Sequence, residues 1–249
     1  MKKLLMAAVV AAVTAGPAAA VNVNWADWQS WNGTTTVNGV LDDNGTTVNV
    51  QFTSTANLTP APQLNGLGTD YWQNFRSGRN AATSAYTNVG GNPVNNIPTG
   101  TDIIRMASAS SYTLTFDQLV SDVYLSFVSL NGNAWTFSTQ AVLLSVGGMN
   151  VDGNGTDDNG YWGGSTTTAV SVNAAGQWVL SGNGEPHGTL LLPGSFSQIT
   201  WTGLSENWHG FTVGVKGVTP PAPPTVPVPA AGLLLAGGLA LLSRLRRAR

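Results

Sequence analysis

The stretches SYTLTF (Ser111–Phe116) and DVYLSFVSL (Asp122–Leu130) carry the clearest strand pattern in the chain. One residue in two is apolar on a shared face: Tyr112, Leu114 and Phe116 in the first stretch, Val123, Leu125 and Phe127 in the second. Successive side chains of a strand point to opposite faces, so this period of two predicts β-strands. In the second stretch Tyr124 and Val128 add apolar side chains to the other face. This predicts a central strand that is buried on both faces.

The same alternation recurs along the chain, separated by turn-forming residues. The further alternating sets are Val48, Val50 and Phe52; Val170 and Val172; Trp178 and Leu180; and Phe211, Val213 and Val215. The turn signals are Asp43–Gly45, Asn131–Asn133, Gly147–Gly148, Gly182–Gly184 and Pro193–Gly194. Many short strands at such spacing predict an all-β fold, an antiparallel β-sandwich that is jelly-roll-like.

The first twenty residues, 1–20, have the features of a secretory signal peptide. Lys2 and Lys3 give a positive start, Leu4–Ala15 is apolar, and Ala18–Ala20 supplies the small residues of a cleavage site. We therefore expect the Sec machinery and signal peptidase as partners, and a mature chain that begins at Val21. The exported β domain is predicted over residues 21–217.

The C-terminal part divides into a Pro-rich linker, residues 218–225, and a tail, residues 226–249. The uncharged run 230–243 would span about 21 Å as a helix, which makes a short transmembrane segment. An arginine cluster, residues 244–249, follows and would hold the C-terminus in the cytoplasm. These membrane-orienting residues are Arg244, Arg246, Arg247 and Arg249. A buried core helix is the alternative, which the flanking residues argue against.

A short Pro motif, VPVPA, precedes this helix and consists of Val226, Pro227, Val228, Pro229 and Ala230. The order of Pro motif, apolar helix and arginine cluster resembles the PEP-CTERM class of sorting signals in Gram-negative bacteria, and is most similar to its VPLPA variant. Val228 stands where that variant usually has Leu. The resemblance implies processing by an exosortase. The expected location is an inner-membrane-anchored precursor, followed by the cell surface or the extracellular space.

Charge and cysteine content exclude several function classes. The exported part holds four basic and twelve acidic residues, a net charge of −8, so it lacks a basic footprint for nucleic acid. The chain has no cysteine and therefore no disulfide or thiol chemistry. Enzyme signatures such as G-x-S-x-G, H-E-x-x-H and the P-loop are absent from the sequence.

Two Glu-His pairs form the first candidate site: Glu185 with His187, and Glu206 with His209. A predicted strand follows each pair, so the four side chains would meet if these strands share a sheet edge. Such a cluster could hold zinc or manganese, or act as an acid–base pair. The alternative is structural: each Glu would accept hydrogen bonds from its turn, and each His would pack beside it.

An oxygen-rich loop forms the second candidate site, with Asp152, Asn154, Asp157 and Asp158 as Ca²⁺ ligands. The loop departs from an EF-hand, because Thr156 and Asp157 replace required residues and no Glu stands at the twelfth position. The alternative is a solvated hairpin loop, since Asn, Asp and Gly dominate turns.

Nine tryptophans form the third candidate feature, because exposed indole rings could stack on sugars. Most are expected in the core, which needs large apolar side chains. Trp72 and Trp162 each follow a Tyr in a polar stretch and are the predicted glycan platforms.

A second resemblance covers the domain itself. The segments EPHGTLLL, SFSQITWTG and ENWHGFTVGV are similar to the closing part of a group of β-rich PEP-CTERM exported proteins, and NWADWQSW and YWGG to its opening and middle. The group implies a fold and a location, with no activity and no firm cofactor. We expect a non-enzymatic structural or adhesive protein associated with extracellular polysaccharide. The alternatives are a carbohydrate-binding module with calcium support and a metal-dependent hydrolase that uses the Glu/His cluster.

Overall fold

Twelve strands make up the regular structure of the computed structural model, which describes residues 21–72, 85–87, 94–146 and 167–218. The strands are β1 (Asn24–Trp25), β2 (Asp27–Trp31), β3 (Thr36–Asp43), β4 (Thr46–Ser54), β5 (Ile104–Met106), β6 (Ser110–Val128), β7 (Ala134–Phe137), β8 (Val142–Val146), β9 (Thr167–Val172), β10 (Trp178–Asn183), β11 (Gly188–Gly203) and β12 (His209–Val218). Every pair between them is antiparallel. The described residues contain no helix, so the all-β, antiparallel prediction is confirmed.

Several predicted segments lie outside the described residues: the signal peptide 1–20, the tail 226–249 with its helix 230–243, and the linker beyond Val218. Within the described ranges, no helix is long and apolar enough to cross a membrane. All twelve strands belong to one unit that ends at Thr219.

Strand β6 is the centre of the sheet. It joins both predicted stretches into one strand of 19 residues, which pairs with β4, β11 and β12. Its first part alternates between buried and exposed residues, whereas Val123–Val128 is buried on both faces. The central strand predicted from Tyr124 and Val128 is therefore confirmed. Backbone groups without access to water need partners, and the second part finds them on both edges, in β11 and β12.

Two turn signals have different outcomes. Asn44 and Gly45 adopt positive φ values of 52° and 87° and connect β3 to β4 in a tight hairpin, as Asp43–Gly45 predicts. The sequence predicts a turn between two strands at Pro193–Gly194, and this prediction is wrong. Both residues lie inside β11, where the register with β6 shifts. The Pro and Gly therefore mark a β-bulge, because neither residue favours a regular ladder.

The sheet order is β2–β3–β4–β6–β11–β7–β10–β9, while β12 pairs with β1, β5 and β6, and β8 pairs with β11. A cluster of aromatic rings fills the core between these strands. Its members are Phe52, Tyr112, Trp135, Phe137, Trp201 and Phe211, with ring centroids 5.2–6.5 Å apart. Such rings bury large apolar areas and prefer offset-stacked or edge contacts, so this cluster contributes strongly to the packing of the core.

Replacement of Phe211 by Ala should lower the free energy of unfolding by about 3–5 kcal/mol, because the ring is fully buried and contacts the three aromatic rings of Phe52, Trp135 and Trp201. The measurement is denaturant unfolding of the purified protein. Leu67→Ala is the control, since Leu67 is 72% exposed. It should change stability by no more than about 0.5 kcal/mol. Equal losses in the two variants would contradict the core assignment.

Candidate functional site

The two Glu-His pairs come together because their strands start at the same end of β6. Gly188 of β11 pairs with Phe127, and Gly210 of β12 pairs with Val128 on the opposite edge. The segments that precede these strands therefore converge around the residues that follow Val128. The structure thus brings Glu185 and Glu206 to the two sides of one strand end.

A glycine follows each histidine, and the packing requires both. A Cβ atom on Gly188 would lie 2.2 Å from the carbonyl oxygen of Ser145, and one on Gly210 would lie 2.5 Å from Cδ1 of Ile103. Gly188 is the first residue of β11 and Gly210 the second of β12, and each lets a neighbour approach closely, which explains why a glycine follows each histidine.

A pocket of about 530 Å³ lies at this end of β6. Its lining residues are Ser129, Asn131, Glu185, Ser205, Glu206, Asn207 and Trp208. Both glutamates line it, whereas His187 and His209 are completely buried. We call this the carboxylate pocket. Its lining contains no lysine or arginine, so no cation among these residues offsets the two carboxylates.

Glu185 is held by the loop after β6. The hydroxyl of Ser129 donates a hydrogen bond to its Oε2, and Nδ2 of Asn131 donates to Oε1 at 3.0 Å. Each oxygen keeps a second lone pair for another ligand. The Glu185 carboxylate is thus oriented and still able to accept.

The His209 ring contacts Trp135 in the core and does not line the pocket. Nε1 of Trp135 lies 3.4 Å from Nε2 of His209 and can only donate, so Nε2 must accept. The neutral ring then carries its proton on Nδ1, which faces Oε1 of Glu206 at 3.6 Å. Nδ2 of Asn133 also lies 3.4 Å from Nδ1 and donates one of its two hydrogens to the carbonyl of Leu204 at 2.8 Å. Because Nδ1 carries the ring proton, it does not accept the second hydrogen. Burial lowers the pKa of His209 to about 3, so the ring stays neutral at physiological pH.

His187 also directs a nitrogen into the protein. Its Nδ1 accepts the backbone N–H of Ser129 at 3.3 Å. The zinc or manganese cluster at Glu185, His187, Glu206 and His209 stays a prediction, and its two imidazoles bond to other parts of the protein. Neither ring lines the pocket. In the part of the chain that the structure describes, no three His, Cys, Asp or Glu side chains lie close enough together to hold a metal ion.

Glu206 is the unusual residue of the carboxylate pocket. Its side chain is only 6% exposed, and among the described residues neither carboxylate oxygen has a hydrogen-bond partner. Burial raises the pKa of Glu206 to about 8, and the charge of Glu185 raises it further, whereas the nearby Asn133 side chain and Asn131 backbone lower it by less. Glu206 is therefore mostly protonated at neutral pH unless a ligand stabilises its anion.

The other predicted site residues have different placements. Trp72 is 1% exposed, stacks edge-on against Tyr86, and donates from Nε1 to the carbonyl of Asp102 at 3.3 Å. Because no face of its ring reaches solvent, Trp72 belongs to the core and is not the exposed platform that was predicted. The Ca²⁺ loop at Asp152, Asn154, Asp157 and Asp158 lies outside the described residues, as does Trp162.

A second candidate surface, which the sequence analysis missed, crosses five strands. Register partners place one exposed uncharged side chain from each strand in a row: Ser30, Asn38, Gln51, Thr115 and Gln198. A parallel row consists of Thr36, Thr53, Thr113 and Thr200. We call these two rows the polar face.

Hydrogen bonds order the polar face. Gln51 donates to Oδ1 of Asn38 at 2.9 Å, and Nδ2 of Asn38 lies 3.3 Å from the hydroxyl of Ser30. A shallow groove of about 350 Å³ runs beside the row and is lined in part by Asn38, Gln51 and Thr115. The signal for this surface is the polar half of the alternating strands, but only the long-range register shows that the polar residues align.

Neither a protein-family model, nor a curated protein, nor a solved structure matches the chain.

Glu206→Gln should remove a pH dependence of stability. The folded protein keeps the Glu206 proton up to a pKa of about 8, whereas the unfolded chain loses it near 4.5. Between these values the folded state binds more protons, so the free energy of unfolding falls as pH rises, by roughly 1.4 kcal/mol per pH unit. The stabilisation is complete below pH 4.5 and is lost by about pH 8.

The measurement is the difference in unfolding free energy between wild type and Glu206→Gln from pH 5 to 8, in buffer that contains a chelator. The contribution of His209 cancels in this difference. The control Asp117→Asn alters an exposed carboxylate on β6 and leaves Glu206 in place, so it should keep the Glu206-dependent fall in stability. A difference that does not change with pH would show that Glu206 ionises normally.

Proposed function

We propose that this protein is a non-enzymatic structural or adhesive component of an extracellular matrix, and that its polar face contacts neutral polysaccharide. The aligned rows of the polar face are the observation that carries the proposal. They offer hydroxyl and amide groups at the spacing of strands, about 4.8 Å, across several strands. These groups can donate to and accept from sugar hydroxyls, and the absence of charge from both rows suits a neutral chain.

We further propose that the sheet folds over into a β-sandwich that is jelly-roll-like. The support comes from contacts between strands that are not neighbours in the sheet. Phe52 of β4 packs edge-on against Phe211 of β12, with ring centroids 5.2 Å apart. Nε1 of Trp28 in β2 donates to the hydroxyl of Thr212 in β12 at 3.1 Å. In a sandwich, such residues face each other across the core.

Export and sorting complete the proposal. The signal peptide directs the chain through the Sec machinery, signal peptidase removes residues 1–20, and the tail helix holds the precursor in the inner membrane. An exosortase then acts near the VPVPA motif and releases the β domain to the cell surface or the extracellular space. The support is the resemblance of residues 226–249 to the PEP-CTERM class.

A double substitution, Pro227→Ala with Pro229→Ala, should block this processing in a Gram-negative host that carries an exosortase. The precursor should accumulate in the inner-membrane fraction, and the processed form in the surface and medium fractions should fall at least tenfold. Intact-mass spectrometry of each fraction is the measurement. Pro220→Ala with Pro221→Ala, in the linker, should process normally. Normal processing of the motif variant would contradict a role for VPVPA.

Gln51→Ala with Thr115→Ala should weaken binding to neutral polysaccharide at least tenfold, because two adjacent members of the row are lost. Affinity electrophoresis through gels that contain neutral or acidic polysaccharide measures this. Binding to the neutral polymers should vary little with salt, since counterion release requires charge. Gln177→Ala, in the exposed turn between β9 and β10, is the matched amide control. The proposed role of the polar face would be refuted if wild type, the double variant and Gln177→Ala were retarded equally by the polysaccharide gel. It would also be refuted if wild type were not retarded at all.

The second candidate function is a carbohydrate-binding module with calcium support. The carboxylate pocket favours it, because half-buried Trp208 lies beside carboxylate and amide groups. A metal-dependent hydrolase has less support. Nε2 of His209 accepts from a buried indole and Nδ1 of His187 accepts from a backbone N–H, so neither atom can act as a base toward the pocket.

A further inference from the structure

The carboxylate of Glu206 lacks the partners that a buried acid requires. A second buried carboxylate in the same domain shows the usual arrangement. Asp102 is 4% exposed, and its oxygens accept the backbone N–H groups of Trp28 at 2.8 Å and Gly66 at 2.7 Å. Neither carboxylate oxygen of Glu206 has a hydrogen-bond partner among the described residues, and Nδ1 of His209 lies 3.6 Å from its Oε1. A buried acceptor without a partner is costly, so a ligand that satisfies it would be held firmly.

The lining of the carboxylate pocket shows which ligand this is. Apart from Trp208, its lining side chains carry carboxylate, hydroxyl and amide groups, with two carboxylates and no basic residue. Glu185 is already oriented by Ser129 and Asn131, and it keeps lone pairs on both oxygens. Hard cations prefer an oxygen donor set of this kind. The two imidazoles, which are nitrogen ligands of the kind that zinc favours, do not line the pocket.

We propose that the carboxylate pocket is a binding site for a hard divalent cation of the Ca²⁺ class, with Glu206 and Glu185 as its anionic ligands. Neutral oxygens from the loop residues Ser129 and Asn131 and water molecules complete the coordination. Ca²⁺ fits better than Mg²⁺, because it accepts an irregular set of six to eight oxygens, whereas Mg²⁺ demands a near-ideal octahedron. This site differs from the predicted loop at residues 152–158, and it does not depend on the polar face.

Calorimetric titration of the full chain, purified with EDTA and then transferred to chelator-free buffer, tests the proposal. Wild type should bind one Ca²⁺ in the pocket with a Kd on the order of 10⁻⁴ M, the range of extracellular modules. Saturating Ca²⁺ at about 100 Kd should raise Tm by roughly 5 °C or more. Mg²⁺ and Zn²⁺ should bind at least tenfold more weakly than Ca²⁺.

Three variants locate the ion. Glu206→Gln should bind Ca²⁺ at least tenfold more weakly, yet unfold in EDTA at a temperature no lower than wild type, which shows that it folds. Asp117→Asn removes an exposed carboxylate and should bind Ca²⁺ like wild type. Asp157→Asn with Asp158→Asn, in the predicted loop, should retain the Glu206-dependent binding.

Three outcomes would overturn the proposal: no Ca²⁺-dependent change in wild type, unchanged binding in Glu206→Gln, or tighter binding of Zn²⁺ than of Ca²⁺. Affinity electrophoresis of Glu206→Gln separates this proposal from the proposed function, because this variant should bind polysaccharide as wild type does. Failure of the cation site leaves the polar face intact, and loss of polysaccharide binding in Gln51→Ala with Thr115→Ala leaves Ca²⁺ binding intact.

Discussion

The antiparallel pairing along both edges of β6 is the constraint on which the rest of the structure depends. From Val123 to Val128 the strand is buried on both faces, so its backbone groups have no access to water and must be paired with β11 and β12. This pairing sets the starting points of β11 and β12 at one end of β6, where the carboxylate pocket forms. The earlier part of β6 pairs with β4 and β11, and there it aligns the rows of the polar face. One strand therefore positions both candidate surfaces.

The strands were largely predictable because the local pattern and the burial agree. In β4 the residues Val48, Val50 and Phe52 are buried, whereas Thr47, Asn49 and Gln51 are exposed, as the period of two requires. The continuity of β6 was not predictable, because the polar residues between its two apolar stretches indicate a break between two separate strands. The same holds for β11, where Pro193 and Gly194 indicate a turn in isolation. The long partner strand instead accommodates them as a bulge.

The candidate site was predictable in its location and not in its chemistry. The repeated Glu and His residues before two strands indicated a shared sheet end, and the two glutamates do line one pocket. Which side chains face the pocket depends on partners far away in the sequence. The indole N–H of Trp135 donates to Nε2 of His209, and the backbone N–H of Ser129 donates to Nδ1 of His187. No local pattern reveals these contacts. The polar face depends on non-local information too, because a shift of one residue in register would turn every member of its rows to the opposite face.

The walls of the carboxylate pocket are held in place before any ligand binds. Asn133, which is 2% exposed, connects the loop after β6 to the loop before β12. Its Oδ1 accepts the backbone N–H of Leu204 at 2.9 Å, and its Nδ2 donates to the carbonyl of the same residue at 2.8 Å. A ligand that has to order loops when it binds loses affinity. A pocket between loops that are already hydrogen-bonded to each other therefore loses less affinity in this way. A cation between Glu185 and Glu206 would join the same two loops a second time. In a chain without cysteine, such a link would supply a cross-connection of the kind that disulfides give to small secreted domains.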